Sequence, residues 1–179
     1  MGILFSRLFR NWLGEKEFKV VIIGLNNAGK TTILYKLHLG EVVMTQPTIG
    51  SNVEEIKYKN LKFTAWDVGG QESLRSSWSV YYSDCKALLM IVDSTDKERL
   101  PTVKEELFKA LGHEDLKKAA LLVFANKQDL HGSMSAGQIS EALDLASIKT
   151  HPWHIQACCA LTGEGLKDGM EWLSKKVPK

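Results

Sequence analysis

Along the chain, apolar runs of strand length alternate with stretches whose apolar residues recur three and four positions apart. The runs at 18–23, 87–93 and 119–125, rich in Val, Ile, Phe and Leu, and the more mixed stretches at 53–59, 61–67 and 153–159 predict six β-strands. Lys59-Asn60 leaves room only for a tight connection, so the second and third strands form an antiparallel hairpin. Helical spacing predicts helices over 30–39, 97–112, 135–146 and 163–176, a mobile helical turn near 73–82, and an N-terminal helix near 3–12. Strand and helix in alternation imply an α/β fold of three layers: a six-stranded, mostly parallel sheet with one antiparallel strand and helices on both faces. Ligands of such sheets gather beyond the carboxyl ends of the strands.

Three strand ends carry polar sequences of distinct chemistry. The first run leads into Gly24-Leu25-Asn26-Asn27-Ala28-Gly29-Lys30-Thr31-Thr32, which opens a helix. A glycine-rich turn between a strand and a helix N-terminus aims backbone N–H groups at a polyphosphate. Gly29 permits close approach, Lys30 would reach the β- and γ-phosphates, and the Thr31 hydroxyl would ligate Mg²⁺. The third run ends in Asp67-Val68-Gly69-Gly70-Gln71. There Asp67 would hold Mg²⁺ through water, the Gly70 N–H would meet a γ-phosphate oxygen, and the neutral amide of Gln71 would orient an attacking water. Asn126-Lys127-Gln128-Asp129 follows the fifth run, and its chemistry selects guanine. The Asp129 carboxylate can accept from the ring N1–H and the exocyclic amine, a donor pair that adenine lacks. Asn126 and the stem of Lys127 would pin the loop and cover the base, and the backbone N–H of Ala160, just after Cys159, would serve the guanine oxygen. Between these elements, Thr48 of Gln46-Pro47-Thr48-Ile49-Gly50 would add a second hydroxyl to Mg²⁺ when a γ-phosphate draws its loop inward. Residues 42–52 and 68–82 are thus two candidate switch loops. An Asp-x-Gly-Gly or Asn-Lys-x-Asp sequence alone is usually a surface turn; their order and placement at strand ends set these apart.

These four motifs, in this order, resemble those of the Ras superfamily of small GTPases, with a P-loop GTPase domain as the implied fold. Asn27-Ala28-Gly29-Lys30-Thr31-Thr32, Pro47-Thr48-Ile49-Gly50 and Trp66-Asp67-Val68-Gly69-Gly70-Gln71 are similar to its ADP-ribosylation factor branch, and the likeness covers the whole chain. Residues 49–55, 71–78 and 153–161 look like the factor-like members of that branch. The resemblance implies a monomeric switch cycling between GDP and GTP, with slow hydrolysis, an exchange factor, an activating protein and effectors of tethering or coat type. It also implies reversible attachment to Golgi or trans-Golgi membranes in vesicle traffic. Arg75 and Arg99 are the candidates for an internal arginine finger, but the chain lacks the inserted domain that supplies one in related proteins, so an activating partner is expected. Two positions depart from the branch. Asn26 stands where aspartate is usual, removing a negative charge beside the phosphates. The aromatic triad read by effectors maps onto Trp66, Tyr81 and Ser51, with serine in place of phenylalanine.

The N-terminus adds a membrane device. Met1-Gly2-Ile3-Leu4-Phe5-Ser6 fits the N-myristoylation pattern with Gly2 as acceptor. Ile3, Leu4, Leu8 and Trp12 share a helical face with Phe5 and Phe9 beside them and Arg7 and Arg10 opposite, the pattern of an interfacial helix and equally that of a helix packed on a core. One acyl chain binds membranes only marginally, so the apolar face is the second contribution stable attachment requires. The chain divides into this segment, 1–16, and a GTP-binding domain, 17–179. Its 179 residues, 44% of them hydrophobic, suffice for one substantial core. A net charge of +2, with lysines dispersed, gives no footprint of a nucleic-acid binder. Three cysteines, Cys85, Cys158 and Cys159, form no disulfide framework and fit a reducing, cytoplasmic setting. A GTP-binding adaptor with negligible turnover is the alternative, and measured turnover separates it from the enzyme. ATP binding with transfer to a small acceptor would instead indicate a kinase.

Overall fold

The computed structural model describes residues 16–39, 48–59 and 61–177. Strands β1 (Lys16–Ile23), β2 (Ser51–Tyr58), β3 (Leu61–Val68), β4 (Cys85–Asp93), β5 (Ala120–Asn126) and β6 (Trp153–Ala157) form one sheet in the order β2-β3-β1-β4-β5-β6. Only β2–β3 is antiparallel, with Tyr58 opposite Leu61 and Ser51 opposite Val68; the other pairings are parallel. Lys59, at φ 55, makes the turn. The helices are α1 (Lys30–Leu39), α2 (Glu72–Arg75), α3 (Leu100–Leu111), α4 (Ala136–Ala142) and α5 (Leu166–Lys176), with 3-10 turns at Trp78–Tyr81, Glu114–Leu116 and Leu145–Ser147.

The sheet buries both faces, which is why its inner strands read as unbroken apolar runs. On one face Val20, Ile22, Phe63, Leu89, Leu122 and Phe124 pack against Ile33 and Leu34 of α1 and Met170 and Leu173 of α5. On the other, Val21, Leu88, Met90, Leu121 and Val123 meet Val103 and Leu107 of α3, Ile139 and Leu143 at α4, and Trp78 and Tyr82. Among the described residues no helix is long and apolar enough to cross a membrane.

Strand ends shift by one or two residues from expectation, β6 closing at Ala157, and three helix ends shift further, each for a local reason. The stretch 97–112 becomes helical only at Leu100, with Pro101 in its first turn, where a missing N–H costs nothing. The stretch 135–146 stops after Ala142 because Asp144 takes a left-handed conformation (φ 55), and a 3-10 turn follows. Its start is firm: Ser135 and Gln138 form a reciprocal capping box. The last helix starts at Leu166 rather than 163, since Gly163 and Gly165 both have positive φ. The N-terminal helix expected near 3–12, Gly2, and the part of the first switch loop at 42–47 lie outside the described residues.

Candidate nucleotide site

The sheet delivers its polar strand ends to one edge. Residues 24–29 leave β1 and turn into α1, with Asn27 (φ 64) and Gly29 (φ 95) in left-handed conformations. Such a turn points consecutive N–H groups into a concavity at the helix's positive end. Gly29 has a further reason to lack a side chain: a Cβ there would lie 2.3 Å from the Asn126 amide nitrogen. Leu25 and Ala28 are buried beneath the loop, and Thr32 continues α1 with Ile33 N–H closing the first turn on Gly29 O at 2.9 Å. Lys30 is only 6% exposed, and its Nζ donates to Leu25 O at 3.0 Å. Burial pulls its ammonium down from 10.5 to about 8; the Asp67 carboxylate opposes this, and the Arg75 and Arg99 guanidiniums add to it. A group whose charge is so poorly solvated is suited to an anionic ligand.

Three side-chain oxygens converge beside it. Thr31 Oγ1 donates to Asp67 Oδ2 at 2.5 Å, Thr48 Oγ1 donates to the same oxygen at 3.2 Å, and the two hydroxyls are 2.9 Å apart. Burial raises the Asp67 carboxyl, against the pull of Thr31, Lys30 and Thr48. Its other oxygen, Oδ1, is buried without a hydrogen-bond partner. An orphaned carboxylate oxygen among hydroxyls fits the hard oxygen set that Mg²⁺ takes, with waters completing it. Thr31 and Thr48 are the candidate direct ligands, and Asp67 the one acting through water.

The two switch segments meet over the phosphate loop. Gly69 N–H donates to Gly50 O at 3.0 Å, and Trp78 Nε1 donates to Gly69 O at 2.8 Å. Gly70 lies against the loop: a Cβ there would be 2.4 Å from Gly24 O and 2.6 Å from Asn26 N. Its carbonyl accepts the Asn26 N–H at 3.1 Å and Arg75 Nε at 3.3 Å. Gln71 is exposed at the start of α2 and makes no capping bond. Trp66 and Tyr81 pack with ring centroids 5.7 Å apart, while Ser51 joins their sheet edge opposite Val68. Around them Ile49 and Val80 are 87% and 75% exposed, an uncovered apolar rim.

At the end of β5, Asn126 is the joint of the site. Its Nδ2 donates to Ala28 O at 2.9 Å, and its Oδ1 accepts from Ala160 N–H at 3.0 Å, so one side chain ties the phosphate loop to the loop after β6. The Ala160 N–H, expected to serve the guanine oxygen, is thus already engaged within the protein. Cys159 is buried and holds its own turn, donating to Glu164 O at 3.0 Å. Lys127 Nζ pairs with Asp93 Oδ2 at 2.7 Å, and Asp129 stands exposed beyond it. Burial acts to raise the Asp93 carboxyl, but Lys127 and Thr95 hold it below its ordinary value.

Sequence reasoning passed over Asp93 and Gln128. Asp93 ends β4, a parallel strand end without a motif of its own, where the rule that sites collect at carboxyl ends would have found it. Gln128 buttresses the loop, its Nε2 donating to Ser94 Oγ at 2.8 Å and Met134 O at 2.9 Å. No local pattern announces these contacts. His151 is buried with Nε2 3.0 Å from Leu116 O, and among the described residues no group of three or more His, Cys, Asp or Glu side chains could hold a metal ion.

Comparison with known proteins agrees with this geometry. The family model described as the ADP-ribosylation factor family matches residues 5–177. The chain is 59% identical over 177 residues to ADP-ribosylation factor-like protein 5A of Bos taurus, covering 99% of this chain and 98% of the bovine protein. It is 52% identical over 176 residues to ADP-ribosylation factor-like protein 5 of Dictyostelium discoideum, covering 98% and 96%. Among solved structures, the Arl6 BBS3 small GTPase of Trypanosoma brucei with bound GppNp superimposes with a TM-score of 0.83 at 36% identity, covering 89% of this chain and 96% of that one.

Proposed function

This chain belongs to the ADP-ribosylation factor family of small GTPases, and from that premise we propose that it is a membrane-recruited switch of vesicle traffic whose attachment is set by the bound nucleotide. As a member it binds GDP and GTP with Mg²⁺, hydrolyses GTP, and works with exchange factors, activating proteins and effectors. The proposal adds slow intrinsic turnover, an acylated Gly2, and residence at Golgi or trans-Golgi membranes.

The observation that carries it is the meeting of Thr48, Thr31 and Asp67, together with the Gly50–Gly69 bond, which joins both switch segments at the phosphate loop. When bound, Mg²⁺ neutralises charge on the β- and γ-phosphate oxygens. Thr48 reaches this point only with its loop drawn in, so its hydroxyl reports the γ-phosphate. Gln71 orients the attacking water, Lys30 binds the phosphates, and Asp129 reads the guanine. Slow intrinsic turnover follows from the arginines: Arg75 Nε is spent on Gly70 O and Arg99 on Asp96 and Asn26, so stabilisation of the transferring phosphoryl group falls to an activating partner.

The sheet supports a link from nucleotide to membrane. Lys16 pairs with Leu61, so β1 begins beside the tip of the β2–β3 hairpin. Ile56 and Tyr58 of that hairpin, with Leu37, Leu166 and Met170, wall a groove of about 680 Å³. Movement of the hairpin toward the phosphates reshapes those walls, and the apolar face of Ile3, Leu4, Leu8 and Trp12 rests on the body with GDP and enters the bilayer with GTP.

Liposome flotation tests this, using the chain made with an N-myristoyltransferase and loaded with GDP or a non-hydrolysable GTP analogue. Flotation with the analogue alone, abolished by Gly2→Ala, is expected. Equal flotation with both nucleotides would reduce the protein to a constitutively anchored one.

A further inference from the structure

Asn26 and Arg99 stand 73 residues apart in the chain and meet at the site. We infer that Arg99 is a positioning residue of the nucleotide site: it grips the phosphate loop at Asn26 and thereby slows nucleotide release.

Arg99 is aimed before it reaches the loop. Its Nε donates to Asp96 Oδ2 at 2.5 Å and its backbone N–H to Asp96 Oδ1 at 3.2 Å, so both carboxylate oxygens hold one residue. Asp96 is itself fixed to the end of β4 through its N–H on Asp93 O at 3.2 Å. The free end of the guanidinium then spans the gap, with Nη1 donating to Asn26 Oδ1 at 2.9 Å and to Asn26 O at 3.3 Å. Accepting with both its side chain and its main chain, Asn26 is fixed in orientation as well as in place. From the opposite side its N–H is held by Gly70 O at 3.1 Å. The residue is therefore clamped between the start of α3 and the second switch segment, one position beyond the Leu25 carbonyl that Lys30 uses.

The amide at 26 gives this clamp its character. A charged donor to a neutral acceptor is stronger than a neutral pair, yet it places no negative charge beside a polyphosphate. Arginine is required for the span, since a lysine's single ammonium cannot hold Asp96 and Asn26 in a fixed fork. The Arg99 side chain is about a third exposed, at 35%, so removing it leaves the core intact. Its loss acts on the loop.

The inference rests on residues 24–31 being the phosphate loop, and the test separates the two. The full chain is loaded with a fluorescent GDP and chased with unlabelled GDP in excess Mg²⁺, comparing wild type, Arg99→Gln, Asn26→Ala and the double variant. Release about tenfold faster is expected for Arg99→Gln, somewhat less for Asn26→Ala, which keeps the main-chain acceptor, with the double no faster than Arg99→Gln. Asn26→Asp, which keeps an acceptor, is expected to retain slow release only while Arg99 is present. Should Arg99→Gln fail to fold, Arg99→Lys keeps the charge without the span and is expected to release several-fold faster. Unchanged release in the Arg99 variants, or single effects that multiply in the double, would overturn the clamp alone. A wild type that binds no labelled GDP would overturn the phosphate-loop reading and the clamp with it.

Discussion

Gln71 follows Gly69, packed against the Thr48 and Gly50 carbonyls, and Gly70, pressed against the phosphate loop, and among the described residues its exposed side chain is tied to nothing that would hold it back from an attacking water. Gln71→Leu keeps the backbone and removes the amide. It is expected to leave GTP binding intact and to abolish most activator-stimulated hydrolysis, a loss on the order of 10³-fold or more if the activator's contribution depends on the positioned water. Single-turnover rates with and without an activating protein measure this, and an unchanged stimulated rate would contradict the role. At this scale the sequence was most readable for which residues gather, as with Lys30, Thr31 and Asp67, which the fold brings together. It was least readable where a residue serves another residue. Asn126 occupies the Ala160 N–H, and Lys127 spends its ammonium on Asp93, contacts made between strand ends far apart in the chain.

The β2–β3 hairpin is the element whose attachments matter most to switching. Tyr58 OH donates to Glu171 of α5 at 2.7 Å, and Lys59 and Lys175 also pair with that carboxylate. Asn52 Nδ2 donates to the Tyr35 hydroxyl of α1 at 3.0 Å. Lys59 above all, then Tyr58 and Lys175, pull the Glu171 carboxyl from 4.5 to about 2. Because the folded value is depressed, the clasp contributes fully above about pH 4.5 and is lost as pH falls toward 2. Glu171→Ala is expected to accelerate amide hydrogen exchange at the hairpin tip at neutral pH, leaving β5 unaffected. Equal protection at the tip in variant and wild type would show that the clasp holds nothing. The hairpin itself was legible from two alternating runs around Lys59-Asn60. Its anchorage to α5 was not, since nothing local marks Glu171 as the partner of a residue 113 positions away.

In the whole molecule, two apolar layers on either side of one sheet carry stability and hold the strand ends in register. Phe124 lies at the centre of one layer, fully buried, and Gly169 of α5 rests on its ring so closely that a Cβ would come within 2.5 Å. Phe124→Ala is expected to cost about 3–5 kcal/mol, a large share of the roughly 5–15 kcal/mol typical of a domain. Urea unfolding of the GDP-bound protein measures it, and a loss under about 1 kcal/mol would mean that α5 collapses into the gap. The inner strands β1, β4 and β5 could be read as apolar runs, because strands covered on both faces stay apolar throughout, while β2, β3 and β6 could be read only as more mixed stretches. The order β2-β3-β1-β4-β5-β6 could not, since it is decided by pairings between distant segments. The alternation along β3 has one last consequence. Phe63, Ala65 and Asp67 are buried, while Lys62, Thr64 and Trp66 between them are only partly covered. Displacing the strand along β1 by one residue would turn Phe63 out and Thr64 in; displacing it by two restores every side chain to its own face. A hairpin sliding as proposed would therefore move in notches of roughly 6.6 Å, with the core as the ratchet that forbids any halfway setting.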